Sequence, residues 1–362
     1  MTYLRSNPIK TVVLTVAVSL ILALGTMAQS FSESLLTTEN AYNPMPSPDG
    51  KYIAFVRVGW GESTVTSFGR SSLVSDVKVM NVGGMAKTRT LAKDYFISGW
   101  TPDSIHLVCY RDWNYALVST EGNQTVVGRI PNVSDRYMPT EWVAYSPFLE
   151  TIVWSRPIES QWAIEAPGRM VVKQMVSGGK RVVSSPDGRY LAVFGENSET
   201  ELRVYDFRLE SWIDFGRMSI HPDKDWSYIQ PDWNPWFADS SRLVFLRDST
   251  LVITVPDGTQ KTEIKIDGPA GLPVPSPDGK SIAYITFEPS PKQARPDLQF
   301  WGGTTIMVVP TSGESRPLTV TLKNPDEVYD LKWMNSDALV FDRIADDVFY
   351  QHARIWRAAV PR

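Results

Sequence analysis

One phrase recurs along this chain and limits what it can fold into. Ser47-Pro48-Asp49-Gly50-Lys51 leads into Ile53-Ala54-Phe55, Ser185-Pro186-Asp187-Gly188-Arg189 into Leu191-Ala192-Val193, and Ser276-Pro277-Asp278-Gly279-Lys280 into Ile282-Ala283-Tyr284. Weaker copies keep the order of turn and apolar triplet: Thr101-Pro102-Asp103-Ser104 before Leu107, Ser146-Pro147 before Ile152, Ala238-Asp239-Ser240 before Leu243, and Asn335-Ser336-Asp337 before Leu339. The steps between successive triplets are 54, 45, 39, 52, 39 and 57 residues, about 48 on average. A period of that size belongs to arrays of one supersecondary unit, each too small to bury its own apolar surface.

The chemistry of the phrase defines the unit. Proline presets φ at its turn position, the aspartate bonds back to the local backbone, and glycine takes a positive φ, so the chain reverses there. The apolar triplet does not alternate with polar residues, as expected of a strand in a sheet covered on both faces. A third run follows in most copies, such as Val77 to Met80, Leu202 to Tyr205 or Ile306 to Val309, and then a glycine turn and a short fourth run. Four antiparallel strands per repeat make a propeller blade. The expected fold is therefore all-β, a single β-propeller of seven four-stranded blades. Six is the alternative, because the chain between Met175 and Ser185 looks too short for a complete outer strand and the next inner one. The last repeat lacks an outer strand of its own. Glu33 to Thr38 is the segment expected to supply it, pairing near Trp356 and closing the ring.

These Ser-Pro-Asp-Gly-Lys and Ile-Ala-Phe phrases resemble the Pro-Asp-containing, WD-like repeats of TolB-type propellers, which also occur in the propellers of prolyl oligopeptidase and dipeptidyl peptidase IV relatives. The resemblance spans roughly residues 44 to 362. It implies a propeller alone, without the α/β domain of TolB or the hydrolase domain of the peptidases.

Composition narrows the function. The 36 Lys+Arg against 40 Asp+Glu give a net charge of -4 with no basic block, which argues against a nucleic-acid partner. A single cysteine, Cys109, excludes a disulfide framework and Cys-rich metal sites, and it falls where a buried thiol would pack as a hydrophobe. Only three histidines occur, His106, His221 and His352. No Gly-x-Ser-x-Gly elbow is present, and Gly279-Lys280-Ser281 lacks the earlier glycine of a phosphate loop, that position being Val274. The turn aspartates Asp49, Asp103, Asp187 and Asp278 belong to separate repeats and read as turn formers rather than a ligand array. No cofactor and no metal are expected, and the protein is expected to be a monomer.

Residues 1–28 differ from the rest. Arg5 and Lys10 precede an uncharged stretch from Thr11 to Ala28 that ends in Thr26-Met27-Ala28, the pattern of a cleaved signal peptide. An uncleaved anchor is the alternative, and only then would the membrane be a partner. Residues 29–362 would form the propeller, in the periplasm or outside the cell.

The long segments between repeats, Gly59 to Leu73, Arg156 to Gly168, Arg217 to Gln230, Glu288 to Gly303 and Ile344 to Ala353, all belong to one face of such a propeller, opposite the short Pro-Asp-Gly turns. Function is expected on that face. The candidate wall is Tyr95, Trp142, Tyr228, Asp232, Trp233, Tyr329 and Asp330, each at or beside the start of an inner strand. Rings with carboxylates suit a protein, peptide or glycan ligand, by stacking and directed hydrogen bonds. Rings that simply fill space between blades are the other reading. The rival function is a secreted lyase or glycosidase using Asp232 and Asp330 as acid and base.

Overall fold

The computed structural model describes residues 33–60, 73–83, 87–111, 114–129, 143–158, 161–175, 181–195, 199–219, 233–268, 270–271, 273–286, 305–314, 316–320, 322, 328–344 and 353–360. Among them there is no helix, and the strands form five four-stranded sheets and one seven-stranded sheet, all antiparallel. The first sheet runs through Ala41–Pro46, Tyr52–Trp60, Leu73–Asn81 and Thr88–Lys93, and the second through Phe96–Trp100, His106–Arg111, Asn114–Ser119 and Gln124–Arg129. The third comprises Val143–Ser146, Thr151–Ile158, Gln161–Ala166 and Arg169–Met175. Its outer strand is therefore present, and the sequence expectation of a shortened third unit is corrected. That strand pairs with Gln161–Ala166 through two register shifts, and the next inner strand begins at Arg181.

In the seven-stranded sheet, Arg181–Ser184, Tyr190–Phe194, Glu199–Asp206 and Ser211–Ser219 are joined to Leu243–Arg247, Thr250–Thr254 and Lys261–Lys265 by the single pair Ser219↔Leu246. Residues 233–237 lie along Leu243–Arg247 with only the bridge Trp236↔Leu243 and the bond from Val244 N to Pro235 O. Val274–Pro275, Ser281–Thr286, Thr305–Pro310 and Leu318–Val320 follow. The last sheet contains Val328–Asn335, Ala338–Ile344 and Ala353–Ala359, with Ser34–Leu35 as its outer strand, paired Ser34↔Arg357 and Leu35↔Trp356.

The repeated phrase builds the same turn each time. Ser47 Oγ donates to Asp49 Oδ1 (2.7 Å), Lys51 N donates to the same oxygen (3.1 Å), Tyr52 N donates back to Ser47 Oγ (3.0 Å), and Gly50 sits at φ 69°. Ser185-Pro186-Asp187-Gly188 and Ser276-Pro277-Asp278-Gly279 repeat this network. The turn aspartates thus satisfy local donors, as their position in the repeat implies.

Apolar triplets make the core. Met45, Val56 and Val77 of the first sheet pack with Leu107 and Cys109 of the second, and burial pushes the Cys109 thiol pKa upward. Val153 and Ile164 of the third pack with Leu191 and Val193. Val244 and Ile264 pack with Ile282 and Tyr284, and Val308 with Trp333 and Phe341. Ile53 and Phe55 of the first sheet meet Met334, Val340 and Ile355 of the last. Each sheet is thus packed against its successor, and the first against the last. Indoles staple these seams: Trp100 Nε1 donates to Met45 O (2.9 Å), Trp236 Nε1 to Val183 O (3.1 Å) and Trp333 Nε1 to Val274 O (2.9 Å).

Candidate functional site: the polar seam between first and last sheets

The seam between the first and last sheets carries a cluster of buried charge. In both sheets the inner strand breaks register just after a tyrosine, between Tyr42 and Met45 and between Tyr329 and Lys332. Each break leaves a non-glycine residue at positive φ, Asn43 at 56° and Asp330 at 45°. A bulge of this kind re-aims a side chain that regular pleating would hold elsewhere.

The re-aimed groups meet. Asn43 N donates to Asp342 Oδ2 (3.2 Å), and Lys332 Nζ donates to Asn43 Oδ1 (3.1 Å). The Asp330 carboxyl is hydrogen-bonded to that of Asp342, and both side chains are buried. Arg181, first residue of the strand Arg181–Ser184, contributes its charge from another sheet. Burial, reinforced by the neighbouring Asp342 charge, raises the Asp330 pKa well above the carboxylate range, with Arg181 opposing. Burial also raises Asp342 to about 6, against the Asn43 N–H and the Lys332 charge, and lowers Lys332 to about 7. Near neutral pH the cluster therefore offers a carboxylic acid that donates, a carboxylate that accepts and an amine close to its own titration.

Of the expected site residues that the structure describes, Asp330 enters this cluster. Tyr95 is partly buried and packs against the apolar seam of the first and second sheets. Trp233 is buried, with Nε1 donating to Pro273 O (2.7 Å) and its ring edge on Phe194, so it fills space between sheets. Tyr329 pairs through its backbone with Asp342. Trp142, Tyr228 and Asp232, most of the long inter-repeat segments and residues 1–28 lie outside the described residues. Asn43, Arg181, Lys332 and Asp342 were not singled out from the sequence. The available signal was a charge inside an apolar strand, Lys332 beside Trp333 and Asp342 after Phe341. Among the described residues no group of three or more His, Cys, Asp or Glu is placed to hold a metal ion, and no helix is long and apolar enough to cross a membrane.

The sheet order and the packing of first sheet on last can be set beside solved structures. The chain is similar to the crystal structure of the Myceliophteria thermophila Cps50 (Swd1) β-propeller domain, with a TM-score of 0.56 over 91% of this chain and 100% of that one, at 11% identity. The fold is a β-propeller. No family model matches the chain, and no curated protein sequence does either. At 11% identity the likeness concerns the fold and leaves the ligand to be argued from this propeller's own residues.

Proposed function

We propose that this chain is an exported, non-enzymatic propeller of seven blades, closed by its N-terminal strand, that binds a protein, peptide or glycan on the face where its long inter-blade segments converge. A propeller lends itself to a scaffold for protein interaction, because rigid sheets present loops from many blades to one surface. The observation that carries the reading is the buried polar cluster of Asn43, Asp330, Lys332 and Asp342. It lies toward the starts of the inner strands, where such a face would open inward, and it keeps donors and acceptors in a water-poor setting that favours directed hydrogen bonds.

Export follows from the composition of residues 1–28 and is tested by the intact mass of the native protein. It should begin near Gln29, and a membrane-bound protein retaining Met1 would replace export with anchoring. Binding is tested by displaying the mature protein on peptide and glycan arrays. Capture should be lost in Trp142→Ala with Tyr228→Ala and kept in Asp49→Asn on the opposite face. Turnover of a captured polysaccharide, abolished by Asp330→Asn, would overturn the binding reading.

A further inference from the structure

A second charged site lies farther out along the same seam. In the register of the first sheet Arg57 is opposite Asp76, Phe55 opposite Lys78 and Gly59 opposite Val74, so Arg57, Gly59, Asp76 and Lys78 share one face. Nearer the short turns this face is apolar, with Phe55 and Met80 packed on the last sheet. Toward the long segment it becomes charged, and the link from Ser34–Leu35 to Ala41–Pro46 crosses over it. Glu39 of that link meets three donors from three strands: Lys78 Nζ at 2.5 Å and Arg57 Nε at 3.5 Å on Oε2, and Thr88 Oγ1 at 3.2 Å on Oε1. Arg57 also pairs with Asp76 (3.2 Å). Burial pushes the Glu39 carboxyl up, but the hydrogen bond and charge of Lys78, helped by Thr88 and Arg57, leave it below its ordinary value, so it is ionised at neutral pH.

Beside this carboxylate is a cavity of about 410 Å³ lined by Glu39, Asn40, Arg57, Gly59 and Lys78. Its volume falls in the range of small-ligand sites. A latch alone would need the ion pairs but not the space next to them. Without Glu39, the two cations would face Asp76 alone, leaving one positive charge unbalanced. Among the described residues no lining side chain is aromatic, which favours an extended peptide over a sugar that would stack on a ring.

We propose that Lys78, Arg57 and Thr88 form a binding site for a carboxylate of an acidic peptide, occupied in cis by Glu39. The inference rests on the reading of the protein as a binding propeller and names one ligand class for it. Glu39 acts as a tethered competitor whose effective concentration lies in the millimolar range or above, so an incoming peptide binds weakly until Glu39 is removed.

The test uses full-length mature protein and a fluorescent tetraglutamate peptide, with tetraglutamine as the uncharged control. Glu39→Gln should tighten tetraglutamate binding by about tenfold or more, since the cis competitor is gone while its shape is kept. Adding Lys78→Met to it should abolish that gain, and tetraglutamine should bind neither protein. Wild-type protein itself should show weak, salt-sensitive tetraglutamate binding, and Gly59→Leu, which adds a side chain to the cavity lining beside Arg57, should remove it. If Glu39→Gln only lowers the melting temperature and gains no binding, Glu39 is a latch and the site does not exist. If an oligogalacturonate binds in place of the peptide, the ligand class is overturned. A wild-type protein that captures array ligands while Glu39→Gln gains nothing defeats this site alone. A gain in Glu39→Gln with no array capture defeats the broader reading and keeps the site.

Discussion

Asp342 and Lys332 illustrate how a single buried residue can make folding depend on pH. Asp342 has a folded pKa near 6, raised by burial above the ordinary value of about 3.9. The folded state then holds more protons than the unfolded state across that interval, so stability is greatest below it and is lost as pH rises toward 6. Lys332 is lowered by burial to about 7, below its unfolded value of about 10.4, so above pH 7 the unfolded state holds the extra proton and stability recovers. Asp342 and Lys332 by themselves would give a minimum between about pH 6 and 7, and Asp330, also raised by burial, adds its own loss as pH rises through its folded pKa and so moves the minimum upward. Chemical denaturation across pH 4 to 10 measures it. Asp342→Asn should flatten the acidic fall and Lys332→Met the alkaline rise. An unchanged profile in both would mean that the cluster is solvated. Little of this was legible in the sequence. Asp330 stands out by position, at the start of an inner strand, but the cluster it joins is tied together by the Lys332–Asn43 and Asn43–Asp342 contacts, 289 and 299 residues apart in the chain. Trp233 is buried, and the backbone carbonyl of Pro273 that accepts from its indole was not legible either, since it lies 40 residues away in the chain.

At the scale of the repeated turn, the weak copies are modified rather than merely eroded. Ser104 and Ser240 stand where the strong copies have glycine, and they keep its positive φ, 62° and 59°. That conformation costs a non-glycine residue on the order of 1 kcal/mol. Each hydroxyl offsets the cost by accepting a hydrogen bond from the preceding unit's turn, Asp49 N to Ser104 Oγ and Asp187 N to Ser240 Oγ, both 2.9 Å. Ser104→Gly should thus be nearly neutral, since it relieves strain and loses the bond together. Ser104→Ala keeps the strain and loses the bond, and should cost about 1–2 kcal/mol in urea denaturation. Equal effects from the two substitutions would show that the positive φ stores no strain, and a neutral Ser104→Ala would show that the hydroxyl contributes nothing. Gly188 tolerates less, because at φ 73° an added Cβ would collide with Pro147 and the Phe148 backbone of the neighbouring unit. The turn chemistry was readable because it is local. The compensation at Ser104 was not, since its partner lies on another repeat.

Over the whole molecule, the weak point is where the ends of the chain meet. The segment read from the sequence, Glu33 to Thr38, contains the strand that pairs with Ala353–Ala359, yet only Ser34 and Leu35 are in register, followed by the bond from Leu36 N to Ile355 O. So short a ladder cannot hold two sheets by itself. Its support is an ion pair between Glu33 Oε1 and Arg343 Nη1 at 2.6 Å, with side-chain exposures of 0% and 2%, and the guanidinium lies 4.9 Å from the Trp356 ring centre. Two charges removed from water in this way gain little net stability as a pair, but either one left alone is costly. Arg343→Met should therefore lower stability by about 3–5 kcal/mol, because Glu33 stays buried and loses the guanidinium charge that balances it. The double change Glu33→Gln with Arg343→Met should recover most of that loss. A chain beginning at Tyr42 loses the strand, the ion pair and Glu39 together, and should melt well below the mature protein. Recovery in the double variant with a low melt for the shortened chain would place the closing strength in the strand and its apolar contacts. If the shortened chain melts like the mature one, the apolar contacts of Ile53 and Phe55 with Met334 and Val340 and the hydrogen bonds of Asn43 to Asp342 and Lys332 suffice to hold the first and last sheets, and the N-terminal strand is dispensable to the ring.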